Sequence, residues 1–229
     1  MMAEDYLRMG IVKMQKSQPL EPYKPAEEIS RTILVVGGGV TGMTAAIEAS
    51  KAGRQVILVE KEQSLGGFAA RLYKQFPKQP PYQELQPSPC ETMVKEIGAN
   101  PNIKVYTSAK IKKIAGGPGL FDVTLEQGSP SQGKSLQFRA GAIVLAAGFI
   151  PYDATKLSHL GFGSSPNVIT SVQMEELAKK GKITRPSDGK EATNIAFIQC
   201  AGSRDANHLP YCSTSCCMTS LKQAIYVRE

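Results

Sequence analysis

Short apolar runs, separated by a helical segment and glycine-rich turns, organise the first part of the chain. Residues 32–36 and 55–60 are rich in β-branched side chains and predict two buried parallel strands. Residues 43–52 between them predict a helix that ends at Gly53. Strand, helix and strand in this order form a βαβ unit, in which the first turn lies at the carboxyl edge of a parallel sheet.

A second set of patterns follows the βαβ unit. Four segments predict the strands of an inserted antiparallel meander with a hairpin turn at 128–133, namely 103–106, 110–114, 121–125 and 136–138. A capping box with Ser88 as N-cap predicts one helix start, and Thr170 predicts another helix that ends near Gly181. Residues 194–199 predict a further buried strand. Residues 1–30 have no clear period and are interpreted as a lead segment.

The turn after the first strand has the spacing G-x-G-x-x-G. Gly37 permits the tight turn, Gly39 lets a pyrophosphate approach the backbone, and Gly42 lets helix and strand pack closely. The following helix N-terminus offers N–H groups and a positive dipole end to phosphates. Glu60 ends the second strand, where a carboxylate can accept hydrogen bonds from ribose hydroxyls and repels a 2′-phosphate. The pattern predicts a dinucleotide site and argues against NADP there.

Two more small-residue motifs favour FAD over NAD as the dinucleotide. Gly66-Gly67 follows the second strand, where a glycine pair lets the backbone approach a cofactor. The apolar run that ends at Ala147-Gly148 is typical of the strand that crosses back under the cofactor in flavoproteins with two dinucleotide domains. The predicted cofactor-binding residues are Gly37, Gly38, Gly39, Thr41, Gly42, Glu60, Lys61, Gly66, Gly67, Ala147 and Gly148.

Four of the five cysteines form a second chemical signal: Cys200, Cys212, Cys216 and Cys217. Four thiolates are the number that one iron–sulfur cluster needs. Zinc also binds four thiolates, but structural zinc sites usually use two C-x-x-C pairs, and the adjacent Cys216 and Cys217 fit that spacing poorly. The N-terminus has no export signal, so a reducing compartment is expected and a structural disulfide is disfavoured. Cys90, at a predicted helix start, is interpreted as a small half-buried residue.

Charge and composition narrow the possible roles of the other residues. The net charge of +7 comes from scattered basic residues, so we expect compensation of anionic cofactors and no nucleic-acid partner. The longest apolar run is too short for a membrane span. His208 is either a donor to a cluster ligand or part of a surface turn. Arg204 and Lys222 either compensate cluster charge or are solvated residues.

These patterns predict the α/β fold class, with a Rossmann-type FAD-binding fold that has a parallel sheet and an inserted antiparallel β-meander. We divide the chain into an N-terminal lead segment (1–30), an FAD-binding domain with the β insertion (31–153) and the start of a second α/β half (154–229). The second half carries the cysteine loop. In a pyridine-nucleotide–disulfide reductase it would open with a second G-x-G-x-x-G, which is absent here.

Residues 32–229 resemble HdrA, the flavin-binding A-type subunit of heterodisulfide reductases, and most of all its relative in quinone-interacting membrane-bound oxidoreductase complexes, QmoA. The resemblance is carried by the glycine-rich turn, by 72–77, 161–170 and 185–190, and most specifically by 199–217. It implies that Cys200, Cys212, Cys216 and Cys217 bind a [4Fe–4S] cluster near FAD. It also implies an oxidoreductase subunit that passes electrons between these cofactors in sulfur or anaerobic energy metabolism.

The resemblance has further implications for partners and location. The implied partners are iron–sulfur subunits of an HdrBC- or QmoBC-like complex, with membrane contact only through them. The implied location is cytoplasmic, peripheral on the inner face of the cytoplasmic membrane. The sequence departs from the family pattern in two places. The loop after Phe76-Pro77 lacks the cysteines that relatives often carry, which leaves any additional ligand there open. The chain also stops at Glu229 within a predicted helix, as in a C-terminally truncated fragment or a short variant.

Two other function classes remain open from the sequence. One is a stand-alone FAD-dependent oxidoreductase acting on a small substrate, although no obvious acid–base pair is present. The other is a truncated non-catalytic subunit. The chain has no C-x-x-C pair and no second glycine fingerprint, so we do not expect it to reduce a disulfide with NADPH by itself.

Overall fold

A computed structural model describes residues 2–22, 28–128 and 133–228. Most of the predicted hairpin turn at 128–133 lies outside these residues. The helices and strands are α1 Met2–Lys16, β1 Ile33–Val36, α2 Val40–Lys51, β2 Val56–Val59, β3 Lys74–Gln75, β4 Gln86–Pro87, α3 Cys90–Ala99, β5 Ile103–Tyr106, β6 Ala109–Gly117, β7 Leu120–Gln127, β8 Lys134–Ala140, β9 Ala142–Leu145, α4 Ser171–Lys179 and α5 Cys216–Arg228.

Within the described residues, four strands form a parallel sheet in the order β5-β2-β1-β9. In register, Ile33 of β1 lies opposite Val56 of β2 and Ala142 of β9, which confirms the predicted parallel strands. The assignment of 103–106 to the meander was wrong, because β5 pairs in parallel with β2, Val56 opposite Ile103. The helix α3 lies between these two strands in sequence, and a parallel pair needs such a crossover.

The parallel sheet is covered on both faces. On one face α2 and α3 bury Met43, Ala46, Ile47 and Ile97 against Val35, Val56, Leu58 and Ile103. On the other face the antiparallel meander β6-β7-β8 packs Val123, Leu125 and Ala140 against Leu34 and Val59. Burial on both faces explains why the strands appear as continuous apolar runs. The predicted α/β fold with an inserted meander is therefore confirmed.

Helix starts were predicted with mixed success. The capping box of α4 is present, because the Thr170 side chain accepts from the Gln173 N–H while the Gln173 side chain accepts from the Thr170 N–H. The predicted box at Ser88 was wrong: α3 begins at Cys90, and the Ser88 hydroxyl donates to the Ala69 carbonyl at 3.0 Å. The hydrogen bond to Ala69, which lies just after the glycine pair, thus competes with capping of α3 by the Ser88 hydroxyl.

The predicted strand at 194–199 was also wrong. These residues form no strand in the described structure, and Ile198 is 60% exposed. A strand requires a hydrogen-bonding neighbour, and residues 194–199 pair with none of the described strands, although β9 lies at an edge of the parallel sheet. The apolar run therefore remains an irregular segment that leads into Cys200.

The lead segment contains an element that the sequence pattern did not reveal. Residues Met2–Lys16 form α1, and none of the described residues of this helix is buried. A helix without tertiary packing leaves no clear burial pattern in its sequence. Among the described residues, no helix combines the length and the apolar character needed to cross a membrane.

Candidate functional site

The glycine-rich turn between β1 and α2 is shaped by two close backbone contacts. Gly37 has φ of 108°, and a Cβ there would lie 2.2 Å from the Ala146 carbonyl oxygen. A Cβ on Gly42 would lie 1.8 Å from the Gly37 carbonyl oxygen. Any side chain would collide with backbone at these positions, so they require glycine. The turn therefore lies tightly between β9 and the first turn of α2.

Gly39 differs from its neighbours because it faces open space. A Cβ there would meet no atom of the described residues within 4 Å. Gly39 is the N-cap residue of α2, and no described side chain caps it. Glycine has no side chain that could cap the first helical turn, and uncapped N–H groups at a helix N-terminus can bind phosphates. The geometry fits a pyrophosphate in front of Gly39.

Glu60 holds the glycine-rich turn in place. It is 5% exposed, and its Oε2 accepts the Gly38 N–H at 2.6 Å. Its Oε1 accepts the Glu62 N–H at 2.8 Å. Each carboxylate oxygen keeps a further lone pair, so the predicted acceptance of ribose hydroxyls stays a prediction. The structure adds a second role, since the same carboxylate orders the turn.

The second glycine pair lies directly beside the first motif. The Gly66 N–H donates to the Gly38 carbonyl at 2.8 Å, and a Cβ on Gly67 would lie 2.9 Å from Gly39 Cα. The two motifs, which are separate in sequence, therefore form one wall of the open space. Thr41 and Lys61, two further predicted cofactor-binding residues, are exposed.

The end of β9 forms another side of this region. The Ala146 N–H donates to the Val36 carbonyl at 2.8 Å, which carries the strand past the turn. Ala147 and Gly148 are exposed, and the Phe149 ring contacts that of Phe68 with 4.7 Å between centroids. The structure thus brings the predicted glycine-rich turn, glycine pair and Ala147-Gly148 segment to one edge of the sheet.

Cys90 is the cysteine that lies apart from the others. It is 5% exposed, and its Sγ lies 3.7 Å from the Gly66 carbonyl oxygen. Its environment is the packed interface between α3 and the glycine pair. The interpretation of Cys90 as a small packed residue agrees with this position, and burial is deeper than expected.

The four remaining cysteines are neighbours in space. Cys200 and Cys216 are half-buried, and Cys212 and Cys217 are exposed. A backbone hydrogen bond from Cys200 and a side-chain one from Ser213 lower the pKa of Cys216. A hydrogen bond and then the charge of Cys216 raise the pKa of Cys217, with smaller contributions from Cys200 and Cys212.

The donor set fits soft metals by its chemistry, because thiolates bind iron–sulfur clusters and zinc. The arrangement of the side chains is a separate question from their chemistry. Among the described residues, no group of three or more His, Cys, Asp or Glu side chains is arranged to hold a metal ion. Hydrogen bonds link Cys216 with Cys200 and Cys217, and the charge of Cys212 acts on Cys217.

Tyr152, which the sequence analysis missed, anchors the cysteine loop. Its hydroxyl lies 2.7 Å from Nδ1 of His208, in the middle of the loop. A Cβ on Gly202 would lie 2.5 Å from the Tyr152 ring, so the ring packs directly on the loop backbone. His208 thus contacts Tyr152, just after the β9 segment. Arg204 is exposed, with φ of 56°.

A buried polar network holds the helix that begins with Cys216 and Cys217. Lys222 forms an ion pair with Glu175 of α4, with 3.1 Å between Nζ and Oε1. Both side chains are almost completely buried, so Lys222 is not solvated and has the Glu175 carboxylate as its partner. The interpretation of Lys222 as a solvated residue was wrong, and compensation of cluster charge by Lys222 stays a prediction.

Gln223 and Tyr226 complete the network. Gln223 Nε2 donates to the Ser171 carbonyl at 2.8 Å and to Glu175 Oε1 at 2.9 Å. The Tyr226 hydroxyl donates to Glu175 Oε2 at 3.2 Å. Burial, followed by the Glu175 charge, raises the pKa of Tyr226, so its hydroxyl remains a donor at neutral pH.

One sequence signal could have revealed Glu175. Val172 and Ala178, both buried, lie three residues before and after it on α4, so Glu175 occupies the apolar face of its helix. A carboxylate at such a position needs a buried partner. The identity of that partner cannot be inferred from local sequence.

The fold and the glycine motifs together define a Rossmann-type nucleotide-binding domain. Residues 32–97 match the family described as FAD dependent oxidoreductase. The similarity extends further: over nearly its whole length the chain is similar to A-type subunits of heterodisulfide reductases. The second A-type iron-sulfur subunit of CoB–CoM heterodisulfide reductase from Methanopyrus kandleri is 31% identical, over 99% of this chain and 46% of that protein.

Other relatives show the same similarity. The A-type subunit of H(2):CoB–CoM heterodisulfide,ferredoxin reductase from Methanothermobacter marburgensis is 27% identical over 99% of this chain and 45% of its own length. The chain thus spans about half the length of the curated relatives it matches. Among solved structures, L-proline dehydrogenase from P. horikoshii has a TM-score of 0.43 at 21% identity and covers 69% of this chain and 31% of that one.

Proposed function

We propose that the open space at the glycine motifs binds the ADP half of FAD. The observation that carries this proposal is the open position in front of Gly39, at a helix N-terminus without a side-chain cap and beside the glycine pair. The match of residues 32–97 to FAD-dependent oxidoreductases supports the choice of FAD over other dinucleotides. The proposed cofactor-binding residues are those that the sequence predicted.

We further propose that Cys200, Cys212, Cys216 and Cys217 hold a [4Fe–4S] cluster. The proximity of these thiols supports the proposal, as does the name of the Methanopyrus kandleri relative, an iron-sulfur subunit. When bound, a flavin exchanges electrons in pairs and a cluster exchanges them singly. The chain's own residues would hold and orient the two groups.

Together these sites suit an electron-transfer oxidoreductase subunit of a heterodisulfide reductase-like complex. A role in sulfur or anaerobic energy metabolism, and the closer likeness to QmoA, belong to the proposal. The domain boundaries at residues 30 and 153 remain part of it too.

An optical spectrum after anaerobic reconstitution tests this function. We expect the full chain, supplied with FAD, iron and sulfide, to show flavin bands and a broad cluster absorbance, with no disulfide reduction by NADPH. Flavin bands alone would support a stand-alone flavin enzyme, and neither signal would support a non-catalytic subunit. Rapid NADPH-dependent turnover by the isolated chain would contradict the proposal.

The partners proposed for this chain are iron–sulfur subunits of the HdrBC or QmoBC type. The relatives are named as the A-type members of reductases with lettered subunits, which supports such an assembly. The surface near the cysteines is also apolar, since Tyr211, Met218 and Leu221 are each at least half exposed. Apolar side chains beside exposed thiols suit an interface across which electrons pass. A cytoplasmic location at the inner membrane face depends on these partners.

Substitution of Leu221 tests the proposed interface. Leu221→Lys should weaken binding to purified B- and C-type subunits about tenfold or more, because it places a charge within an apolar contact. Leu7→Lys is the matched control, since Leu7 is a similarly exposed leucine on α1, with 69% against 60% exposure. Titration by size-exclusion chromatography or calorimetry measures both. Equal binding by the two variants would exclude this surface.

A further inference from the structure

We infer that Glu175 is a positioning residue that fixes α5, and with it Cys216 and Cys217, against the backbone that follows the nucleotide-binding glycine pair. The inference deepens the proposed function and rests on both of its sites. It concerns a side chain that touches neither the glycine motifs nor the cysteines. Glu175 would act through the placement of other residues.

The first support is that one carboxylate joins three separate elements. Glu175 belongs to α4 and is 1% exposed. Its Oε2 accepts the Tyr73 backbone N–H at 2.9 Å, from the segment after the glycine pair. The same carboxylate accepts hydrogen bonds from α5, through Lys222, Gln223 and Tyr226. A shift of α5 would therefore disturb the Tyr73 backbone as well.

A second set of contacts links α5 to the same backbone directly. Lys222 Nζ donates to the Lys74 carbonyl at 2.7 Å. The Tyr226 hydroxyl lies 3.1 Å from both the Lys74 nitrogen and the Lys74 carbonyl oxygen. The Tyr226 ring packs edge-on against Tyr73, with 5.2 Å between centroids. These contacts fix both the rotation of α5 and its position along its axis.

The helix α5 is unusual because the face that it buries is polar. Its buried residues are Lys222, Gln223 and Tyr226, whereas Met218, Leu221 and Ile225 are exposed. A helix packed only for stability buries its apolar face, because apolar burial is the dominant stabilising term. Apolar contacts also tolerate repacking, while directional hydrogen bonds to one carboxylate allow a single arrangement. Because α5 buries its polar face and exposes apolar side chains, we infer that the network serves to position this helix.

The backbone that Glu175 holds leads straight to the nucleotide site. A short 3-10 helix, Gly67–Arg71, begins at the glycine pair and ends two residues before Tyr73. At the other end, α5 begins at Cys216 itself. Through a few buried contacts, the Glu175 network therefore connects the backbone after the glycine pair of the proposed FAD site to the helix that carries two cysteines of the proposed cluster site.

Hydrogen exchange on the protein without cofactors tests the positioning role. In Glu175→Gln, the amides of α5 and of Tyr73 and Lys74 should exchange about 100-fold faster, because Lys222 loses its buried partner. Amides of β1, α2 and β2 should keep their protection. Glu176→Gln is the matched control: Glu176 is the next residue on α4, and its 2.6 Å ion pair with Arg71 is about half exposed. Unchanged protection of α5 in Glu175→Gln would overturn the inference.

A second readout separates positioning from plain stability. In chains that retain full flavin and iron, Glu175→Gln should slow electron exchange between the two cofactors about tenfold, measured by stopped flow. Tyr226→Phe removes the hydroxyl contacts but keeps the ring, and should show a smaller loss in the same direction even if Glu175→Gln folds poorly. If electrons passed between the two cofactors at the wild-type rate in both variants, the role of Glu175 would be merely structural and the inference would be overturned.

Failure of the proposed function would be recognised separately. If the wild-type chain binds neither flavin nor iron under reconstitution, the proposed function fails. The hydrogen-exchange pattern of Glu175→Gln then decides the inference by itself. Faster exchange confined to α5 and residues 73–74 supports Glu175 as the residue that positions α5, and protection at the wild-type level overturns it.

Discussion

Serine in place of any one of Cys200, Cys212, Cys216 and Cys217 is expected to lower bound iron from about four atoms per chain to less than about one. A hydroxyl is a much poorer ligand than a thiolate for iron in a cluster, and a cluster that lacks one ligand is lost readily. Iron and sulfide analysis after anaerobic reconstitution measures the effect. The structure suggests that folding will be little affected at Cys212 and Cys217, because both side chains are exposed.

Cys90→Ser provides the matched control for this series. Cys90 is buried against the Gly66 carbonyl, apart from the other thiols, so iron content should stay near the wild-type value. Zinc bound in place of iron, with all four thiols protected from alkylation, would instead assign a structural metal site. Iron retained by all four serine variants would exclude the cysteines as ligands.

Gly39→Val is expected to weaken FAD binding about 100-fold or more while leaving the fold intact. The protein leaves open space at this position, with no atom of the described residues within 4 Å of the added Cβ. The backbone there has φ of −73°, which valine can adopt. The added methyl groups would therefore occupy the space of the pyrophosphate. Flavin retained after gel filtration and the free energy of unfolding measure the two effects.

Gly42→Val is the contrasting variant in the same turn. Its Cβ would lie 1.8 Å from the Gly37 carbonyl oxygen, so the turn or α2 must move. We expect a loss of about 3 kcal/mol or more in the free energy of unfolding, together with loss of flavin. If Gly39→Val destabilised the fold as much as Gly42→Val, or kept stoichiometric flavin, the assignment of the site would fail.

The glycine motifs show how much of the nucleotide site could be predicted from local sequence. The roles of Gly37, Gly39 and Gly42 follow from spacing alone, because a turn between a buried strand and a helix leaves few arrangements. The structure has close backbone contacts at Gly37 and Gly42 and an open position at Gly39, while the approach of a pyrophosphate to Gly39 stays a prediction. Local sequence also specified the capping box at Thr170, whose partners lie within four residues.

Strand pairing was less predictable, since a strand depends on a neighbour that can lie far away in sequence. Residues 103–106 were correctly predicted as a strand but assigned to the wrong sheet. Residues 194–199 have a strand-like composition and yet find no partner among the described strands. Apolar composition shows that a segment could form a strand, and tertiary packing decides whether it pairs with a neighbour.

The sequence by itself determined the nucleotide fingerprint, the order of the central βαβ unit and the grouping of four thiols, because each of these depends on residues close together in the chain. Only the tertiary structure decided the roles of Glu175, Lys222, Tyr226 and Tyr152. Each makes its decisive contact with a residue that is distant in the chain, such as Lys222 with Glu175 or Tyr152 with His208. A buried polar side chain is stabilised by its partner, and the fold alone brings that partner within reach.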